Sequence, residues 1–207
     1  MDQHIALFYD DKKYLISSLR NFLQIGIEAG ETAALLITEV KWFMLKAELL
    51  KVGFPIDQLI AAHKIKYVDA HEVLTALCPD SMIVSEESFN ELIASKLGDL
   101  MLSPRTRWYG EIVSLLCDRG QSDVAVQLER YWNGFLARHS NVFLFCGYSV
   151  DAIEKSNLKS PKNAVDICCS HSNTVISSTS YNNLVRLKDY STARIESASE
   201  NEMDFTS

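Results

Sequence analysis

The stretch Ile5-Ala6-Leu7-Phe8-Tyr9-Asp10-Asp11-Lys12-Lys13 decides the fold class of this chain. Its first five residues form an apolar and aromatic run that reads as a strand. Asp10 and Asp11 follow, either able to cap a helix, and Leu15, Leu19, Phe22 and Leu23 then recur at helical spacing up to a stop at Gly30. Strand, turn and helix in that order are where a nucleotide-binding α/β domain carries a glycine-rich loop ending in Gly-Lys-Ser/Thr. No such loop occurs anywhere in the sequence, and two aspartates stand where backbone N–H groups would cradle a phosphate. The order of elements suggests a nucleotide fold, while the chemistry argues against a nucleotide hydrolase.

Working outward, Ala33 to Thr38 is a continuous apolar run typical of a parallel-sheet strand, and Ile65 to Val68 reads as the next one. Arg107-Trp108-Tyr109 is placed as a strand by its neighbours, Val142 to Cys146 has the clearest strand pattern, and Thr174 to Ile176 fits a final edge strand. Helices are expected over Lys41–Val52, Glu87–Leu102, Glu111–Asp118, Asp123–His139 and Ala164–Cys169, with an irregular stretch from Cys78 to Glu87. Alternation of this kind predicts an α/β, three-layer architecture: a mostly parallel sheet flanked by helices. The pattern does not give the strand order. Residues 1–181 are expected to form one globular domain. From Asn182 onward Ser, Thr, Glu and Asn dominate, which predicts an acidic, disordered tail over 182–207.

Composition narrows the function. A chain of 207 residues, 47% hydrophobic, can bury one good core. A net charge of -7 argues against a general nucleic-acid binder. No apolar run approaches the roughly 20 residues needed to span a bilayer, and the acidic N-terminus does not read as a secretory signal. Five scattered cysteines without a CxxC pair fit reduced, mostly buried thiols and a cytoplasmic location.

In an open parallel sheet, ligands collect where the loops diverge at the carboxyl ends of the strands. That rule selects Tyr9-Asp10, Thr38-Glu39, Asp69, Gly110-Glu111 and Gly147-Tyr148. Glu111 follows a strand and a glycine at the start of a helix, where the helix dipole favours a carboxylate. It reads either as a pocket acid or as an ordinary first-turn glutamate. Glu129, Trp132 and Asn133 share one helix face and could line a mixed pocket; the alternative is that Trp132 is core and the polar pair borders solvent. His4 reads as a structural histidine at the strand end opposite the pocket. Cys168-Cys169-Ser170-His171 offers at most three metal ligands, fewer than a structural zinc site needs, so no metal is expected. No Gly-x-Ser-x-Gly elbow occurs, and no catalytic residue is expected.

These pieces, taken in order, resemble a known family. They are His4-x-Ala6-x-Phe8-Tyr9-Asp10, Gly26-x-Glu28-x-Gly30-Glu31, Asp69, Gly110-Glu111, Leu128-Glu129-x-x-Trp132-Asn133, Leu144-x-Cys146-x-Tyr148 and His171. The series is similar to the methanogen/methylotroph, DcmR-like sensory (MEDS) domain. The resemblance implies a fold related to RecA/KaiC-type ATPases but lacking the phosphate loop. It also implies a role in prokaryotic signal transduction, with a small, hydrocarbon-derived ligand and no cofactor. Relatives of this kind often carry a helix-turn-helix or a histidine-kinase module. Neither is evident here, so the expected output runs through a regulatory protein in trans, a histidine kinase or transcription regulator, or through homo-oligomerisation. Two other functions stay open: a ligand-independent interaction adaptor, suggested by the acidic surface, and a residual ATPase using Lys12, Lys13, Arg105 or Arg107 for phosphate.

Overall fold

In the computed structural model, which describes residues 3–79, 82–159 and 161–176, the opening run forms strand β1 (His4–Tyr9) and passes through Asp10 and Asp11 into helix α1 (Lys12–Glu28). The Asp11 carboxylate caps α1 by accepting the Lys13 N–H at 2.9 Å. At the helix N-terminus that would receive a phosphate in a nucleotide-binding domain, one amide is thus taken by the chain's own anion. Gly30, at φ +79°, ends the helix: Glu31 N–H reaches the Gly26 carbonyl and Gly30 N–H the Ile27 carbonyl, the paired bonds of a Schellman motif.

The chain continues as β2 (Thr32–Ile37), α2 (Glu39–Lys51), α3 (Ile56–Ala61), β3 (Ile65–Asp69), α4 (Ala70–Leu77) and α5 (Glu86–Met101). Then follow β4 (Thr106–Gly110), α6 (Ile112–Asp118), α7 (Ser122–Arg138), β5 (Val142–Ser149), α8 (Val150–Lys159), α9 (Pro161–Cys169) and β6 (Asn173–Ile176). The six strands form one sheet in the order β3-β2-β4-β5-β1-β6. Every pairing is parallel, so the expectation of a mostly parallel three-layer sheet holds, and β6 is the edge strand it was read to be.

Strand alternation divides the core in two. Leu7, Tyr9, Leu35, Ile37, Tyr109 and Phe145 pack beneath Leu15, Leu19 and Leu23 of α1, Leu45 and Leu49 of α2 and Ile56 of α3. On the other face Phe8, Leu36, Val68, Trp108, Leu144 and Tyr148 pack with residues of α4 to α9. This division follows from connection handedness. From β1 to β2 to β3 the chain steps in one direction along the sheet and lays α1 to α3 on one face. From β3 onward it steps back the other way, and the same hand puts α4 to α9 on the opposite face.

The pattern missed α3, α4 and α8. Pro55 opens α3 just after the Schellman end of α2 at Gly53, and α3 is only six residues long, too short for a helical repeat to announce it. Helix α4 begins directly where β3 stops, because Asp69 is both the last strand residue and the cap. Strand β5 runs on to Ser149 because β1 flanks it there, pairing Tyr148 with Phe8 and Ser149 with Tyr9. Gly147 and Tyr148 are therefore in the strand and not in a loop. The expected boundary at residue 181 and the tail 182–207 lie outside the described residues. No helix among the described residues is long and apolar enough to cross a membrane.

Candidate functional site

The carboxyl ends of β1 and β2 hand the chain to α1 and α2 on one face, while those of β3, β4 and β5 hand it to α4, α6 and α8 on the other. Connections part on either side of β2, and a crevice opens between diverging connections. The cleft lies there. It has a volume of about 630 Å³ and is lined by Lys12, Thr38, Glu39, Val40, Lys41, Tyr67, Asp69 and His71.

Glu111 fixes the floor beside this cleft. Its carboxylate is 1% exposed and accepts the Thr38 N–H at 2.6 Å, the Lys41 ammonium, and the Tyr109 hydroxyl at 3.4 Å. Lys41 also sits 5.7 Å above the Tyr9 ring. Burial pulls the Lys41 ammonium down, but Glu111 and Tyr9 more than offset it and hold the lysine above its ordinary value. Burial likewise raises the Tyr9 phenol. Asp69 completes the arrangement. Its Oδ1 accepts the His71 and Glu72 N–H groups at the start of α4, and its Oδ2 accepts the Glu39 N–H and the Tyr67 hydroxyl, each at 3.2 Å. Burial works to raise Asp69, yet these donors leave its carboxyl below the usual range, while burial and Asp69 push Tyr67 up to about 12.

The first two amides of the α2 turn are therefore occupied by Glu111 and Asp69, and the α1 turn by Asp11. The positions that attract anions in this kind of fold are filled internally. What remains open to a ligand is a mixed wall: the Tyr67 ring, the exposed Val40 side chain, and polar groups that include Lys12, Glu39 and the Lys41 ammonium already paired with Glu111.

The residues expected to share one pocket fall into two groups on opposite faces of the sheet. Tyr9, Gly110, Glu111 and Asp69 gather at the carboxyl edge as the strand-end rule requires, with Asp10 exposed just beyond Tyr9. Glu129, Trp132, Asn133 and Tyr148 do not join them. Trp132 is core, meeting Phe89 edge-on at 4.9 Å and Phe135 at 5.9 Å. Glu129 does not border solvent: it is 0% exposed, and its Oε1 accepts the Tyr148 hydroxyl. Lys41 was not singled out by sequence, since nothing in the helix pattern of α2 says that position 41 faces Glu111, 70 residues later.

Around Glu129, itself a pocket candidate from sequence, a second group assembles whose other members sequence reading did not expect to form a site. His4, Glu129, Cys146 and His171 place one ligand atom each within 4.8 Å of one another. His4 Nδ1 meets the Asn133 Oδ1 at 3.0 Å, and its Nε2 faces the Cys146 Sγ at 3.3 Å. His171 Nδ1 meets the Ile167 carbonyl at 3.0 Å, and its Nε2 lies 3.2 Å from the Tyr148 hydroxyl. Burial raises the Glu129 carboxyl to about 8 and lowers His171 to about 3. Burial also lowers His4 and pushes the Cys146 thiol well up. His4 and His171 are placed by β1 and by the turn after α9, so no local spacing could have joined them.

With both groups in view, the chain can be compared with known proteins. The family model for the MEthanogen/methylotroph, DcmR Sensory (MEDS) domain matches residues 3–171. The chain belongs to the MEDS domain family. The match ends at His171, so it takes in both groups of residues and five of the six strands. The chain shows no significant similarity to any curated protein. Membership in a sensory-domain family makes signal sensing the coarse functional class of this MEDS domain.

Proposed function

We propose that this MEDS domain senses a small, uncharged or weakly polar organic molecule in the cleft at the carboxyl ends of β2 and β3, without catalysing its conversion. The observation that carries the reading is the state of the helix N-termini there. Asp11, Glu111 and Asp69 already accept the Lys13, Thr38 and Glu39 amides at the starts of α1 and α2, and Lys41 is paired with Glu111. A nucleotide would have to displace three carboxylates, whereas a short alcohol or halogenated one-carbon compound needs only the aromatic and apolar wall and a polar anchor. Kinship with RecA/KaiC-type ATPases is supported by the all-parallel sheet with β1 inside it and α1 starting two residues after β1. A change of phosphate loop into a capped aspartate turn is consistent with that ancestry.

Helix α2 supports a relay to a protein. Its first turn borders the cleft, while Val40, Phe43 and Leu50 project outward, 67%, 60% and 52% exposed. A ligand that alters the Lys41–Glu111 pair would tilt the same helix that presents this apolar stripe to a regulatory partner or a second copy. The stripe also serves the second reading, a ligand-independent adaptor.

A thermal-shift screen with short alcohols, short-chain acids, halogenated one-carbon compounds and ATP with magnesium tests the proposal, since a ligand that binds only the folded state raises its melting temperature. The expected result is saturable stabilisation by a short alcohol or a halogenated one-carbon compound, lost in Tyr67→Ala. Stabilisation by ATP with magnesium alone would point to nucleotide chemistry instead. A flat screen with a partner still captured through Val40 and Phe43 would leave only the adaptor.

A further inference from the structure

The cluster on the other face of the sheet has more lone pairs than protons to fill them. His4 Nδ1 faces the Asn133 carbonyl oxygen, whose orientation is fixed because the Asn133 amide nitrogen donates to the Ser170 carbonyl at 3.1 Å. His171 Nδ1 faces the Ile167 carbonyl, which can only accept. Both imidazoles therefore carry their proton on Nδ1 and turn an acceptor Nε2 inward, that of His4 toward the Cys146 Sγ and that of His171 toward the Tyr148 hydroxyl at 3.2 Å. Glu129 Oε2 is buried with no hydrogen-bond partner among the described residues, 3.6 Å from His4 Nε2 and 3.8 Å from His171 Nε2. Cys146 Sγ closes the group, 3.3 Å from His4 Nε2.

We propose that His4 Nε2, His171 Nε2, Cys146 Sγ and the Glu129 carboxylate bind a four-coordinate divalent transition-metal ion, with zinc the best match. Tetrahedral zinc with bonds of roughly 2.0–2.3 Å holds its ligands about 3.3–3.8 Å apart; the three separations above, of the six among these atoms, fall in that span, and all six lie within 4.8 Å. Two nitrogens, one sulfur and one oxygen suit a borderline-soft ion. A thiolate and a carboxylate together cancel a double positive charge, as an apolar interior demands. The supports expected around such ligands are present: Asn133 and the Ile167 carbonyl orient the imidazoles, and the Tyr148 hydroxyl holds the second carboxylate oxygen. A proton on Glu129 is the competing occupant. It serves the geometry poorly, because neither Nε2 is within hydrogen-bond distance of Oε2, whereas an ion takes a lone pair from each of the four atoms.

The site differs from the Cys168-Cys169-Ser170-His171 arrangement that the sequence invites. Only His171 of that segment takes part, and Cys169 is exposed. The ligands come from β1, α7, β5 and the turn before β6, so the ion would fasten the last described strand to the body of the domain.

The test uses the full chain, stripped with a chelator and titrated with cobalt(II). One equivalent is expected to give the intense visible bands of a tetrahedral centre and a thiolate-to-cobalt charge-transfer band, both erased by one equivalent of zinc. Cys146→Ser should abolish the charge-transfer band, and Glu129→Gln should weaken cobalt binding at least tenfold. Cys168→Ser and Cys169→Ser should leave the spectrum unchanged. Because Cys146 and Glu129 are buried and their variants could unfold, the wild-type spectrum and the two outer cysteine variants decide independently. Folded wild-type protein that yields no cobalt–thiolate band would overturn the proposal. So would a band that vanishes in Cys168→Ser or Cys169→Ser.

Discussion

Gly147 shows how much of the cleft rests on single positions. A Cβ there would overlap the Tyr109 hydroxyl and stand 2.9 Å from two carbons of its ring, so only glycine lets Tyr109 lie across β5 and reach Glu111 at 3.4 Å. Gly147→Ala is expected to cost about 1–3 kcal/mol by overpacking, and a fall in the urea midpoint measures it. Trp132→Ala should cost more, about 3–5 kcal/mol, because it empties an aromatic core, yet leave ligand binding in the cleft intact. His63 offers the opposite case. It ends α3 at φ 55°, where the other left-handed ends are glycines, so His63→Gly should raise stability by about 0.5–1 kcal/mol. At this scale Glu111 was legible, since a carboxylate after a strand-ending glycine has a defined place in the fold. Lys41 and His4 were not, because their value comes from partners 70 and 129 to 142 residues distant.

Between elements, the Lys41–Glu111 pair joins α2 to the end of β4. With Lys41 15% and Glu111 0% exposed at their side chains, removing one partner leaves a largely buried charge. Glu111→Gln should therefore destabilise by about 3–5 kcal/mol, and Lys41→Met combined with it should recover much of the loss; a double-mutant cycle by chemical unfolding reads the coupling. Asp69 joins β3, α4 and α2. Its folded carboxyl lies below the ordinary value of 3.8, so its contribution is complete above that pH and is lost as the pH falls through the folded value. Asp69→Asn should show a smaller drop in stability between pH 5 and pH 3 than the wild type does. Strands with long apolar runs were readable because both faces of a parallel sheet are covered. Helix α4 was not, since one aspartate both ends the strand and caps the helix, leaving no turn signal between them. Tyr148 was misplaced for a related reason: pairing with β1, a tertiary event, prolongs β5 past Cys146.

Across the whole molecule, the direction in which the chain steps along the sheet decides what the domain can bind. One reversal at β3 sorts the helices to two faces and opens the crevice beside β2, where Asp11, Glu111 and Asp69 accept amides at the helix starts. Alternation of strands and helices reveals the class of such a fold, but the order β3-β2-β4-β5-β1-β6, and with it the separation of Glu111 from Glu129, needs the assembled sheet. The most direct test of the sensing account is a ¹H–¹⁵N spectrum of the full chain titrated with short alcohols and halogenated one-carbon compounds. Saturable shifts confined to Thr38, Glu39, Lys41, Tyr67 and His71 are the predicted result. An unchanged spectrum with these probes, together with shifts of the same residues on adding ATP with magnesium, would contradict it.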